Sequence, residues 1–166
     1  MNIVYIHGLD SKLSNDKKEI LQKFGNVIAP EVDYYSNANA IESLIEKLKN
    51  EEVQVIIGSS MGGFAAYYIS TALQKPALLF NPALKNRSVE QIIPSVPISA
   101  PCFKQFVLGN LDDVVNPGDT LAFISKTFNE FTEFQIHLRR GLTHNIPLDV
   151  LEEEVSSFLN NAGLDY

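Results

Sequence analysis

A serine with a glycine two residues away on each side lies in the segment Gly58-Ser59-Ser60-Met61-Gly62. The apolar run Val53–Ile57 precedes this segment, and a helical pattern begins near Gly63. A turn this tight between a strand and a helix forces its central residue into a strained conformation and exposes that side chain. The glycines are needed because side chains at their positions would collide. The segment therefore predicts that Ser60 is an exposed nucleophile, whereas Ser59 is a structural hydroxyl.

A serine hydroxyl is a weak nucleophile at neutral pH, so it requires a nearby general base and a third group that orients the base. His144 is the candidate base, because it lies in a loop just before the last predicted helix. Asp112 and Asp113 follow the fifth predicted strand and compete for the orienting role. The aspartate that does not orient the base is expected to begin a turn or a helix.

The two other histidines have weaker claims to chemistry. His137 lies inside the sixth predicted strand at an alternating position that could face solvent, so a structural role is expected. His7 follows the first predicted strand, in His7-Gly8-Leu9-Asp10-Ser11, and comes before the serine in the chain. His7 is therefore treated as part of a separate loop motif rather than as the base.

Apolar, β-branched runs alternate with amphipathic stretches along the chain, which predicts a mostly parallel sheet with helices on both faces. The most alternating strand, the sixth, is a candidate edge strand. The predicted strands are Ile3–Ile6, Val27–Pro30, Val53–Ile57, Ala77–Phe80, Gln105–Leu108 and Glu133–Leu138. The predicted helices are Asn15–Phe24, Ala40–Lys49, Gly63–Leu73, Asp119–Phe128 and Leu148–Leu159.

The sequence contains neither an internal repeat nor a long linker, which predicts one domain over residues 1–166. Residues 81–101 are the irregular part, since they hold Pro82, Pro94, Pro97 and Pro101 of the chain's 8 prolines. Prolines disfavour regular structure. We expect a short cap-like excursion there, with one short helix around Ser88–Ile92.

Charge and composition narrow the function classes. The net charge of −7, from 20 acidic and 13 basic side chains, argues against nucleic acid or an anionic membrane as partner. Cys102 is the only cysteine, so an internal disulfide or a cysteine-based metal cluster is excluded, and no metal is expected. The sequence shows no apolar run of about 20 residues and no basic signal-peptide segment. A cytoplasmic protein with a small-molecule substrate is expected, with its oligomeric state open.

Taken together, these motifs resemble the α/β-hydrolase superfamily, and most closely the small YqiA-like bacterial esterases. The resemblance implies a three-layer fold in minimal form, with strand order 2-1-3-4-5-6 and Ser60 near the topological switch point. The segments that carry it are His7–Ser11, Gly58–Tyr68, Asn81–Ala83, Asp112–Val115 and Gly141–His144.

The resemblance also implies roles. The superfamily orders its groups Ser, Asp, His, with the acid three residues after a glycine, which favours Asp112 because Gly109 fits that spacing. The His-Gly pair resembles the loop that supplies one oxyanion-hole amide, so the backbone N–H groups of Leu9 and Met61 are the implied donors. The implied activity is cleavage of a carboxylic ester or acyl thioester without a cofactor. The alternative is a hydrolase-fold protein that binds a ligand or partner without turnover.

Overall fold

A computed structural model describes residues 1–164 of the chain. It contains one six-stranded sheet in the order β2-β1-β3-β4-β5-β6, and every neighbouring pair of strands is parallel. The strands are β1 Asn2–Ile6, β2 Asn26–Ile28, β3 Val55–Ser59, β4 Ala77–Phe80, β5 Lys104–Gly109 and β6 Phe134–Arg139. The helices are α1 Asn15–Gln22, α2 Ala40–Leu48, α3 Met61–Leu73, α4 Pro117–Ile124 and α5 Leu148–Asn161. The predicted strand order is confirmed.

The sheet separates two hydrophobic cores, because successive side chains of a strand point to opposite faces. Val4 and Ile6 of β1 pack with α2, α3 and α4, whereas Ile3 and Tyr5 pack with α1 and α5. Both faces of the central strands are buried, which explains why these strands are continuous apolar runs in the sequence. The result is the expected three-layer arrangement, with the carboxyl ends of all strands at one edge.

The strand β6 differs from the central strands, since it pairs with β5 on one side only. Its side chains alternate between partly buried and exposed, and Leu138 is 58% exposed. The alternating pattern in the sequence thus correctly predicted an edge strand. Within the described residues, none of the helices combines the length and apolar character needed to cross a bilayer.

Residues 81–103 join β4 to β5 without a helix or strand, so the short helix expected around Ser88–Ile92 is not formed. Some polar groups of this stretch bond to one another, such as Arg87 to the Leu84 carbonyl, and those at its middle bond to the segment that leads into α2. Ile92 N–H donates to the Ala38 carbonyl at 2.8 Å, and the Gln91 amide donates to the Tyr34 carbonyl at 2.9 Å. Gln91 Oε1 also accepts from Ala40 N–H at 3.2 Å, at the start of α2, and the same N–H lies 3.2 Å from the Asn37 carbonyl. Tertiary hydrogen bonds therefore replace the local helix.

Candidate active site

Ser60 lies in the turn between β3 and α3 with backbone angles φ 55° and ψ −119°. Positive φ is uncommon for any residue other than glycine and costs of order 1–3 kcal/mol. Three backbone hydrogen bonds hold the strained turn. Ser60 N–H donates to the Phe80 carbonyl at 3.0 Å, while the Ser60 carbonyl accepts from Phe64 at 3.0 Å and from Ala83 at 3.1 Å. The helix α3 begins at Met61, two residues earlier than predicted, because the turn leads straight into it.

The flanking glycines allow the turn to pack against its neighbours. A Cβ atom on Gly58 would overlap the Gly62 carbonyl, and one on Gly62 would overlap the carbonyls of Ile6 and His7. This confirms the expectation that side chains at these two positions would collide. The absence of a side chain at Gly62 also lets the chain that follows β1 lie directly beside Ser60.

His144 and Asp112 meet at the same edge of the sheet, in the loops that follow β6 and β5. His144 Nδ1 lies 2.8 Å from Asp112 Oδ2. The Asp112 side chain is fully buried, and its other oxygen accepts from the N–H groups of Val114 at 2.9 Å and Val115 at 2.8 Å. Asp113 is exposed. Of the two candidate aspartates, Asp112 is therefore the one that the fold places against the imidazole.

Asn81 connects the loops that carry Asp112 and His144. Its Oδ1 accepts from Gly109 N–H at 2.8 Å, and its Nδ2 lies 3.0 Å from the Thr143 carbonyl and 3.3 Å from the His144 carbonyl. Asn81 is 2% exposed and has φ 41°, a conformation that asparagine tolerates better than most residues. Asn81 belongs to the motif Asn81–Ala83, but its role in the site was not predicted, although an asparagine directly after a strand was the available signal.

His7 is hydrogen-bonded through both ring nitrogens. Nδ1 lies 2.7 Å from the Gly8 carbonyl, and Nε2 accepts from Val32 N–H at 3.1 Å. These partners require the neutral tautomer with the proton on Nδ1, since a carbonyl only accepts and an amide N–H only donates. The imidazole therefore braces the loop after β1, and neither nitrogen is free to act as a base.

His137 lies on β6 and contacts α5 rather than standing free in solvent. Its Nδ1 is 2.6 Å from Glu154 Oε2, and Arg139 Nη1 is 2.8 Å from the other oxygen of the same carboxylate. The Glu154 side chain is only 1% exposed. The His137 side chain is 25% exposed, and this buried carboxylate holds the ring against α5, which agrees with the structural role expected for it.

Two cavities meet at Ser60. The larger, about 410 Å³, is named here the His144 cavity, and the smaller, about 250 Å³, the Arg87 cavity. Besides Ser60, the His144 cavity is lined by polar groups that include His144, Asn145, Asp10, Ser11, Lys12 and Lys17. Besides Ser60, the Arg87 cavity is lined mainly by Leu9, Met61, Ala83, Val114, Val115 and Arg87. Ser60 therefore stands between a polar compartment and a largely apolar one.

Burial changes the proton affinity of two groups at the His144 cavity. Burial lowers the pKa of the Lys17 ammonium and raises the pKa of the Tyr5 phenol to about 12, because it disfavours the charged form of each group. The Tyr5 hydroxyl therefore remains protonated at neutral pH. Among the described residues, no group of three or more His, Cys, Asp or Glu side chains is arranged to hold a metal ion.

Comparison with known proteins places the chain in a family. The profile of an uncharacterised protein family, UPF0227, matches residues 2–94. This chain belongs to that family. The match confirms the resemblance found in the motifs and covers β1 to β4, including the Ser60 turn. A search among curated proteins found no relative of this chain.

Solved structures with the same architecture span almost the whole chain. Alpha/beta hydrolase domain-containing protein 10 from mouse superposes with a TM-score of 0.73 at 14% identity, over 97% of this chain and 90% of its own. SOBER1 from Arabidopsis thaliana gives a TM-score of 0.71 at 10% identity, over 97% and 98%. The esterase PE8 gives 0.66 at 17% identity, over 96% and 91%. These likenesses confirm the α/β-hydrolase fold.

Proposed function

We propose that this protein is a serine hydrolase that cleaves carboxylic esters through an acyl-enzyme, with Ser60 as nucleophile, His144 as base and Asp112 as the orienting acid. The observation that carries the proposal is the contact between His144 and a fully buried carboxylate, on the same cavity as a serine in a strained turn. Some structural neighbours, such as PE8, are esterases by name, which favours the ester among acyl substrates.

Each catalytic group would accept or donate a proton or a hydrogen bond at a defined step. Asp112 accepts the Nδ1–H of His144 and so leaves Nε2 unprotonated, ready to accept the Ser60 proton as Oγ attacks the ester carbonyl. The imidazolium that forms is stabilised by the buried carboxylate. His144 then returns the proton to the leaving alcohol. In the second step, water attacks the acyl carbonyl and gives a proton to His144, which passes it to Ser60 Oγ as the acid is released.

The negative charge of the tetrahedral intermediate would be held by the backbone N–H groups of Met61 and Leu9. Met61 is the first residue of α3, so its N–H has no partner within the helix and lies at the positive end of the helix dipole. Leu9 lies in the loop that packs beside Ser60. Loss of one such donor typically slows the reaction by about 100- to 1000-fold.

The test is the intact mass of the protein after exposure to a fluorophosphonate. We expect one adduct on Ser60, none on Ser60→Ala, and labelling at least about 100-fold slower on His144→Ala, because the base is lost. Ser125→Ala removes an exposed hydroxyl at the end of α4 and is the matched control, expected to label like the unchanged protein. Adduct formation on Ser60→Ala at the normal rate would contradict the mechanism.

A folded protein that forms no adduct would instead support the alternative, a hydrolase-fold protein that binds a ligand without turnover. If the adduct forms, nitrophenyl esters and acyl thioesters with the same acyl group separate the two remaining activities. Higher kcat/KM on the esters supports the proposal, whereas clear preference for the thioesters replaces it with a thioesterase.

A further inference from the structure

The two cavities at Ser60 have different parts of the substrate to hold, if the proposed mechanism is correct. His144 must reach the leaving-group oxygen to return its proton, so the leaving group belongs in the cavity that His144 lines. The acyl chain then extends into the Arg87 cavity, which Ser60 also lines. The lining of the Arg87 cavity therefore decides which acyl groups are accepted.

Most of the Arg87 cavity is apolar, with one cation. Among residues 1–164, no carboxylate lines this cavity, and Asn86 and Ser88 beside Arg87 are neutral. A cavity of about 250 Å³ can hold a short acyl chain, and few polar atoms of its lining could hydrogen-bond to that chain. A negatively charged partner that meets Arg87 inside this cavity must accordingly come from the bound acyl group.

The guanidinium of Arg87 is buried but incompletely partnered. Its side chain is 11% exposed, and Cζ lies 4.1 Å above the centre of the Phe64 ring. Nη1 donates to the Leu84 carbonyl at 2.8 Å, whereas Nε is buried without a partner among residues 1–164. Its one acidic contact is Glu90, 3.5 Å from Nη2 and 82% exposed.

A buried charge is costly unless it is paired, and an exposed carboxylate at the edge of hydrogen-bonding distance provides weak compensation. A guanidinium also offers five donors arranged to match a planar carboxylate. Since the net charge of −7 repels anions overall, selectivity for an anionic acyl group requires a local cation such as this one.

We propose that Arg87 selects acyl groups that end in a carboxylate, so that the preferred substrates are monoesters of short dicarboxylic acids. The alkyl part of such a group would lie against Leu9, Met61 and the two valines, while the terminal carboxylate pairs with the guanidinium. This inference rests on the proposed function and adds the substrate class to it.

The experiment compares two substrates with the same leaving group and the same number of carbon atoms, 4-nitrophenyl hexanoate and the 4-nitrophenyl monoester of adipic acid. We expect the unchanged protein to prefer the adipate monoester by at least about 10-fold in kcat/KM, as one charge-assisted hydrogen bond would give. Arg87→Met should reduce the ratio of kcat/KM for the adipate monoester to kcat/KM for the hexanoate by about 10- to 100-fold. Arg87→Lys should retain part of the preference.

Lys126→Met is the control, since it removes the same charge from an exposed site on the segment after α4 and should keep the substrate ratio unchanged. An equal loss of kcat/KM on both esters in Arg87→Met would show that Arg87 only holds residues 83–87 in place, and would overturn the proposal. A preference of the unchanged protein for hexanoate would overturn it as well, without any variant. In both cases, hydrolysis of the hexanoate leaves the proposed function standing, whereas a protein that hydrolyses neither ester and forms no fluorophosphonate adduct contradicts both.

Discussion

The two halves of the site are positioned by different means. Around Ser60, backbone packs against backbone, because Gly58 lies against the first turn of α3 and Gly62 lies against the carbonyls of Ile6 and His7. Around His144, long loops are fixed by side chains, namely the Asp112 carboxylate and the Asn81 amide. The first half depends on close packing of backbone, whereas the second combines one such contact, Gly109 against the Leu142 carbonyl, with hydrogen bonds between polar side chains and backbone.

This difference predicts two kinds of failure. A change in the first half should disturb folding, because carbonyl groups of β1 and the turn would have to separate. Removal of a polar side chain in the second half should leave the protein folded but misplace or reprotonate the imidazole. Variants of each half can therefore separate loss of folding from loss of the imidazole's position or tautomer.

The largest effect is expected for Asp112→Asn. Asparagine can keep the acceptor that binds Val114 and Val115 N–H, so the loop should remain folded, but its amide would donate to His144 Nδ1. The proton would then move to Nε2, which could no longer accept from Ser60. Fluorophosphonate labelling should slow by about 1,000- to 10,000-fold.

The matched control is Asp113→Asn, which alters an exposed neighbour with the same change of charge. It should label at about the normal rate, as exposed substitutions usually have small effects. Slower labelling of the Asp113 variant than of the Asp112 variant would show that the orienting acid is misassigned.

Gly62→Ala should be the most damaging change in the turn. The added methyl group would overlap the carbonyls of Ile6 and His7, and backbone atoms have little room to yield. We expect a loss of at least about 3 kcal/mol in the free energy of unfolding, measured by urea denaturation. Gly118→Ala is the comparison, because its added methyl group would approach only the Asn116 side chain and should change stability by less than about 1 kcal/mol.

Asn81→Gly isolates the amide that ties the His144 loop to the Asp112 loop. Glycine retains the φ of 41° without strain, so the loss is confined to the hydrogen bonds with Gly109, Thr143 and His144. We expect fluorophosphonate labelling to slow by about 10-fold while the thermal transition remains cooperative.

Asn81→Ala adds backbone strain to the same loss and should be less stable than Asn81→Gly. If Asn81→Gly labelled at the normal rate, the Asn81 amide would not be needed to position His144, which would contradict the role given to it in the second half of the site.

The sequence was most informative where a short motif determines local geometry. The strand, turn and helix around Ser60 follow from two glycines and an apolar run, and the sheet order follows the family motifs. Asp112 was separated from Asp113 by spacing, and the structure places it against His144. The catalytic roles of these three residues stay predictions until the labelling experiment is done.

Contacts between distant segments could not be read in the same way. Two hydrogen bonds of the Asn81 side chain join residues more than sixty positions apart, and no local pattern in one sequence marks them. The irregular segment that carries Arg87 offered no periodicity from which its position could be inferred. The helix expected near Ser88 failed for the same reason, since Gln91 and Ile92 bond to the segment before α2.

The attachment of Gln91 and Ile92 to the α2 region has a consequence for protein engineering. It separates the connection between β4 and β5 into a fixed first part that carries Arg87 and a mainly exposed second part, residues 93–101. Doubling the length of a flexible loop costs only about 0.6 kcal/mol in closure entropy. Residues 93–101 are therefore a suitable insertion point, where added sequence should leave Arg87 and Ser60 in their positions.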